Sequence, residues 1–293
     1  MDRLDRLGWA DGIAVSAHGV RMGIRVTDPG MMDAVESALP PGWRRDGGPD
    51  VDHLFSLVAW GSVNDRGTVR RLNLLYRGTQ RVSRDREIEP VMESLETELR
   101  RVVAEFAPRR VFVHAGVVGW RGRAILVPGP TFTGKTTLVA QLVRAGATYY
   151  SDEYAPIDGR GRVHPFAKPL SVREGFGRGR DLPARALGGR TGSGPVPLGA
   201  VVLTSYRPGA RWRPRRRSEG EGALALVANA VAARSRPERV MAALGSAMPG
   251  TMVLSGTRGE ATDTARAILS AAERWFGPGG SGSLKMAGSG VDE

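Results

Sequence analysis

The stretch Ala124-Ile125-Leu126-Val127-Pro128-Gly129-Pro130-Thr131-Phe132-Thr133-Gly134-Lys135-Thr136-Thr137 decides the fold. Its first four residues are wholly apolar, as in a strand buried on both faces. Gly129 to Thr136 then matches G-x-x-x-x-G-K-[ST], a loop whose backbone N–H groups converge on phosphate oxygens. Gly129 and Gly134 allow backbone angles and close approaches that a Cβ would block. Lys135 is placed to bridge the β- and γ-phosphates of a nucleotide, and the Thr136 hydroxyl to ligate Mg²⁺. Lys135 to Ala145 is expected as a helix, with Leu138, Val139, Leu142 and Val143 apolar and Gly146 ending it. That helix points its positive N-terminus at the phosphates. The expected phosphate contacts are therefore Gly129 through Thr137, including Pro130, Thr131, Phe132 and Thr133.

Working outward, Arg110 to Val118 reads as a strand, with a short turn at Trp120 to Arg123 before the apolar run. Thr148 to Ser151 leads into Asp152-Glu153. Strand, glycine loop, helix and strand make the βαβ pattern of a nucleotide-binding core. Residues 175–197 are rich in Gly, Arg and Pro and are expected as a long loop or a partly ordered excursion. Leu198 to Tyr206 is a buried strand and 207–217 a charged turn. Helices are expected near 219–233 and 236–247, a strand at 252–255 and a helix at 259–276. Upstream, 19–26, 52–60 and 69–76 read as strands, with a turn at 64–67. Helices are expected at 28–38, capped by Asp28, and at 89–106. The domain boundaries follow: 1–108 a small α/β domain, 109–276 the nucleotide-binding domain, and 277–293 a disordered Gly/Ser-rich tail.

Three further features bear chemistry. An acidic pair at a strand end beside a phosphate loop suits metal binding (Asp152, Glu153, with Thr136) or removal of a proton from an attacking hydroxyl by Asp152. His114, on the strand before the loop, is placed to face Asp152. In His164-Pro165-Phe166-Ala167-Lys168-Pro169, two prolines fix an extended segment and aim Lys168 at a transferring phosphoryl group or an anionic substrate. The competing readings are structural: an acidic turn, a core histidine and a surface lysine in a rigid loop. Arg211 to Arg217 reads first as a solvated basic turn, next as a site for an acidic partner, and last as a nucleic-acid patch.

Composition narrows the field. The chain has 293 residues, net charge +12, 41% hydrophobic and 25% charged residues and no cysteine. These values suit an ordinary soluble protein and exclude disulfides, thiolate metal sites and a cysteine nucleophile. The four histidines lack metal-ligand spacing. No apolar run reaches membrane-spanning length, and the charged N-terminus does not read as a secretory signal. Cytoplasmic residence without a membrane partner is the default expectation. Of the 42 basic side chains only Lys135, Lys168 and Lys285 are lysines.

With these residues in view, the stretch from Val111 to Asp158 resembles the core of HPr kinase/phosphorylase and the wider HPr-kinase-like proteins. That group is distantly related to ATP-dependent phosphoenolpyruvate carboxykinase. The features that carry the likeness are His114 before the loop, the loop itself, the Arg144-Ala145-Gly146-Ala147 helix end, Asp152-Glu153, and the proline-flanked segment 163–172. The resemblance covers roughly 110–276. It implies a P-loop core of mixed sheet flanked by helices, with ATP and Mg²⁺ as cofactors, that phosphorylates a hydroxyl of a protein, peptide or small molecule. By position Asp152 matches the family's catalytic acid/base, Glu153 its second acid, and His114 the histidine that contacts the catalytic carboxylate. Two departures stand out. The second acid is Glu where bacterial HPr enzymes have Asp, and a Gly-Arg-Asn segment tied to phosphorylase activity is missing. The first bears on metal geometry, and the second argues against a bifunctional HPr enzyme. The alternative is a nucleotide-binding regulatory ATPase or switch with no phosphoryl acceptor. The acceptor and any homo-oligomer stay open.

Overall fold

The computed structural model describes residues 3–48, 50–59, 72–130, 133–172 and 180–277. The chain divides into two compact units, Met1–Arg109 and Arg110–Glu293. The structure is mixed α/β.

The first unit holds strands β1 (Asp11–Ala17), β2 (Val20–Val26), β3 (Arg44–Arg45), β4 (His53–Val58), β5 (Asn73–Arg77) and β6 (Gln80–Asp85). They form one sheet in the order β3-β1-β2-β4-β5-β6, in which only β2 and β4 run parallel. Helix α1 (Met32–Ser37) follows a 3₁₀ turn at Pro29–Met31, which Asp28 caps by accepting from the Gly30 amide at 2.9 Å. Helix α2 (Ile88–Phe106) lies against β2, β5 and β6. Val91, Leu95, Leu99, Val102 and Val103 recur at helical spacing and are fully buried, which contributes about 1.5–3 kcal/mol each. The strands β1 and β6 were not expected. In β1 the signal was present, because Ile13, Val15 and Ala17 alternate with less buried neighbours. The turn expected at 64–67 lies outside the described residues.

The second unit carries β7 (Arg110–Trp120), β8 (Arg123–Pro128), α3 (Lys135–Arg144), β9 (Thr148–Ser151), β10 (Tyr154–Asp158) and β11 (Arg162–Val163). After these come β12 (Leu170–Val172), β13 (Arg180–Leu182), β14 (Val196–Tyr206), β15 (Arg215–Arg217), α4 (Glu219–Ala228), α5 (Pro237–Ala247), β16 (Met252–Arg258) and α6 (Ala261–Phe276). Eight strands form a mixed sheet ordered β11-β10-β7-β8-β14-β16-β15, with β9 also on β7. Strands β8, β14 and β16 are mutually parallel, and β7 is antiparallel to β8. The β7–β8 hairpin turns through Arg121 and Gly122, both at positive φ (48° and 75°), as a type I′ turn requires.

Strand β8 is buried from both sides. Ile125 and Val127 pack with α3 and α6, whereas Ala124 and Leu126 pack with α4 and α5. Because β9 and β8 are both antiparallel to β7, the β8–α3–β9 crossover spans one intervening strand.

Two expectations gain detail here. Of the two readings of 175–197, the described part follows the partly ordered one. After the β12–β13 hairpin come a 3₁₀ turn at Ala184–Leu187 and a bridge from Thr191 to Tyr149. The charged turn expected at 207–217 ends in an edge strand, β15, paired to β16. Among the described residues no helix is long and apolar enough to cross a membrane. Of the expected tail only Gly277 falls among the described residues.

Candidate functional site

The described part of the glycine loop leaves β8 at its carboxyl end. Gly129 has φ 153°, and a Cβ there would lie 3.2 Å from Thr133 Oγ1. Thr133 Oγ1 donates to the Pro130 carbonyl at 2.9 Å, and Lys135 Nζ folds back to the same carbonyl at 2.5 Å. Gly134 occupies the N-cap of α3 in the left-handed region (φ 77°), and among the described residues no side chain caps the helix. The first amides of α3 are thus left to an external acceptor. Thr131 and Phe132 lie outside the described residues. Thr137 is exposed on the first turn of α3.

Close approach of α3 to the sheet depends on Gly116 in β7. A Cβ at that position would lie 2.5 Å from Val139 Cγ2. The helix start therefore sits directly over β7, beside the turn that carries the acidic pair.

Asp152 and Glu153 occupy the turn between β9 and β10. Ser151 shapes that turn, since its buried hydroxyl accepts from the amides of Glu153 and Tyr154 at 3.1 and 3.0 Å. The Asp152 carboxylate is buried, and three groups meet it. Thr136 Oγ1 donates to Oδ2 at 3.1 Å, Tyr149 OH to Oδ1 at 3.0 Å, and Lys168 Nζ lies 3.6 Å from Oδ1. The loop threonine, the acidic pair and the distant lysine, all read from sequence, are thereby brought together. Glu153 is tied to β7 through its carbonyl, which accepts from the Ala115 amide at 3.1 Å.

Lys168 is aimed by more than its prolines. Phe166 is buried edge-on between Phe112 and Tyr154, and its amide donates to the Tyr150 carbonyl at 3.0 Å. The Lys168 carbonyl accepts from Tyr149 OH at 2.9 Å.

His114 lies beside the loop, where its carbonyl accepts from the Gly129 amide at 3.2 Å, and among the described residues no hydrogen bond joins its ring to Asp152. Its ring lies against Tyr154, with centroids 4.7 Å apart. Burial, followed by the neighbouring Lys135 charge, holds its pKa below the usual histidine value, which keeps the ring neutral. Among the described residues the aromatic donor to Asp152 is Tyr149. Burial, reinforced by the Asp152 charge, pushes the Tyr149 phenol far above its ordinary range and keeps it a proton donor. Burial lowers the Lys135 pKa, and the charges of Asp152 and Glu153 oppose that shift.

Two residues were missed in the sequence. Tyr149 sits three positions before Asp152 on a buried strand, where a polar-tipped aromatic requires a partner. Arg258 ends the apolar strand β16, at the carboxyl end of a parallel strand, where ligand groups gather. Its guanidinium reaches the carbonyl of Gly134 at 3.1 Å.

The remaining sequence candidates make local contacts. His164 pairs with Asp158 at 2.7 Å, and His18 Nε2 contacts the Pro41 carbonyl at 3.1 Å. Within the basic segment, Arg216 stacks over Trp275 at 4.0 Å and Arg217 pairs with Glu221 at 3.3 Å. No group of three or more acidic or histidine ligands is assembled for a metal among the described residues. The oxygens of Thr136 and Asp152 still fit a hard cation that takes its other ligands from phosphate and water. Neither a protein-family model nor a curated protein matches this chain.

Proposed function

We propose that this chain is an ATP-dependent kinase that transfers the γ-phosphate of Mg-ATP to a hydroxyl of a protein, a peptide or a small molecule. On this reading the second unit is a P-loop kinase core of the HPr-kinase type. The observation that carries the reading is the 3.1 Å bond from the loop hydroxyl of Thr136 to Asp152, which sets a buried carboxylate at the start of the phosphate-loop helix.

The residues divide the work. The loop amides and Lys135 bind and orient the triphosphate. Thr136, Asp152 and Glu153 would supply oxygen ligands for Mg²⁺, which would neutralise charge on the phosphate oxygens. Asp152 accepts the proton of the attacking hydroxyl. The hydroxyl oxygen then bonds to the γ-phosphorus while the bond to the β–γ bridging oxygen breaks, and ADP leaves with that electron pair. Tyr149 orients the carboxylate, and Lys168 holds positive charge beside it.

The test is transfer of label from γ-labelled ATP to free serine, serine peptides and protein acceptors. Asp152→Asn should lower transfer by about 100-fold or more, the usual span for losing a general base. Binding of ATP with phosphate released only to water, at equal rates in both proteins, would reject the kinase and leave an ATPase switch.

A further inference from the structure

Arg258 closes β16 with a side chain that is hard to explain as a strand residue. It is only 3% exposed, although it is a permanent cation. Among the described residues its hydrogen bonds all go to backbone carbonyls: Nη2 to Gly134 at 3.1 Å and to Thr133 at 3.5 Å, and Nη1 to Gly259 at 3.2 Å. Its buried Nε has no hydrogen-bond partner among the described residues. Glu260 supports the charge from a distance but takes the Tyr206 hydroxyl at 3.4 Å instead. The Tyr206 ring lies 5.1 Å from the guanidinium carbon. A buried cation held by carbonyls alone is costly unless an anion is close.

The two loop carbonyls give the arrangement a direction. In a trans peptide the C=O of one residue and the N–H of the next point opposite ways. With the carbonyls of Thr133 and Gly134 turned toward the guanidinium, the amides of Gly134 and Lys135 turn away from it. The contact also fixes residue identity, because a Cβ on Gly134 would stand 2.5 Å from Arg258 Nη2.

We propose that Arg258 is a positioning residue of the phosphate cradle. By engaging these two peptide planes it aims the Gly134 and Lys135 amides at a bound polyphosphate, and its charge adds to the positive end of α3. The inference rests on the nucleotide reading above.

The test compares full-length wild type with Arg258→Met, which keeps length but removes charge and donors. ATP and inorganic tripolyphosphate serve as probes by calorimetry. Arg258→Met should bind both at least about tenfold more weakly, since charge-assisted contacts are the strong ones. Arg258→Lys should recover part of the loss, because one ammonium cannot fork both carbonyls. In wild type, tripolyphosphate should slow amide exchange over 133–137, and Arg258→Met should abolish that protection. A merely structural strut would lower the melting temperature and leave the affinity of the folded protein within twofold of wild type, and that result overturns the proposal. Should Arg258→Met fail to fold, Arg258→Gln is read against the same thresholds. Wild type that binds neither probe would refute the phosphate-loop reading itself, a failure distinct from loss in the variant alone.

Discussion

Tyr149→Phe isolates the interaction that holds the candidate base. Tyr149 is 1% exposed, and its hydroxyl lies 3.0 Å from Asp152 Oδ1 and 2.9 Å from the Lys168 carbonyl. The phenylalanine ring fills the same space, so no cavity cost arises. What disappears is a donor shared by a buried carboxylate and a carbonyl. A hydrogen bond to a charged group contributes about 1.5–3 kcal/mol, and relief of hydroxyl desolvation offsets part of its loss. A net destabilisation of about 2 kcal/mol follows. For a unit of this size that lowers the melting temperature by roughly 4–8 °C. Calorimetric melting measures it directly. A double-mutant cycle with Asp152→Ala should return a coupling of about 1.5 kcal/mol, since the two side chains share one bond. A Tyr149→Phe protein that melts within about 1 °C of wild type, with no coupling to Asp152, would refute the reasoning. Asp152 would then be held by Thr136 and Lys168 alone.

Two other outcomes follow from packing and from titration. Gly116→Ala should destabilise the second unit by about 1–3 kcal/mol and weaken ATP binding, because the new methyl pushes α3 off β7 at Val139; urea unfolding and nucleotide titration check it. His53, His114 and His164 all have folded-state pKa values held below the ordinary 6.5, in each case first by burial. The unfolded chain takes up these protons near 6.5 and the folded chain only at lower pH. Their contribution to stability is therefore complete above that value and is lost as pH falls through the window beneath it. Urea midpoints measured from pH 7.5 down to about 5 should fall, with a shallower slope in His114→Gln; a flat profile would contradict the assignment.

The parts of the site that were legible in the sequence are those encoded locally. An apolar run, two glycines, a lysine and a threonine follow one another within one strand and one turn, and Asp152 comes one helix and one strand later. Each element there has a periodic or conformational signature of its own. Tyr149 and Arg258 carry no such signature, because their roles come from partners set by sheet order. Arg258 meets a loop 124 positions earlier in the chain. The order within 175–197 was not legible in composition for a related reason. Its glycines suggest freedom, yet Gly192 has no Cβ because one would lie 2.2 Å from the Tyr150 ring. The Tyr149 amide donates to the Arg190 carbonyl at 2.8 Å, and the Gly192 amide donates back to Tyr149 at 2.8 Å. Glycine here reflects close packing against a distant strand, which composition alone cannot distinguish from a loop. The three arginines of β15 follow the same logic, since charged residues are well suited to an edge strand.

Lysine placement offers a separate line of reasoning about Asp152. A buried carboxylate with two hydroxyl donors and a cation nearby is an expensive way to stabilise a fold, because desolvation offsets most of the attraction. A purely structural pair would also tolerate either cation, and this chain uses arginine almost everywhere else. Yet both lysines among the described residues interact with this carboxylate's charge. Lys168 lies 3.6 Å from it, and the ionised form of Lys135 is favoured by it. A compact ammonium can sit beside a phosphate and a metal-binding carboxylate where a planar fork would occupy the space of the reacting group. On the proposed reading, a lysine at each place leaves room for a bound phosphate at the helix start.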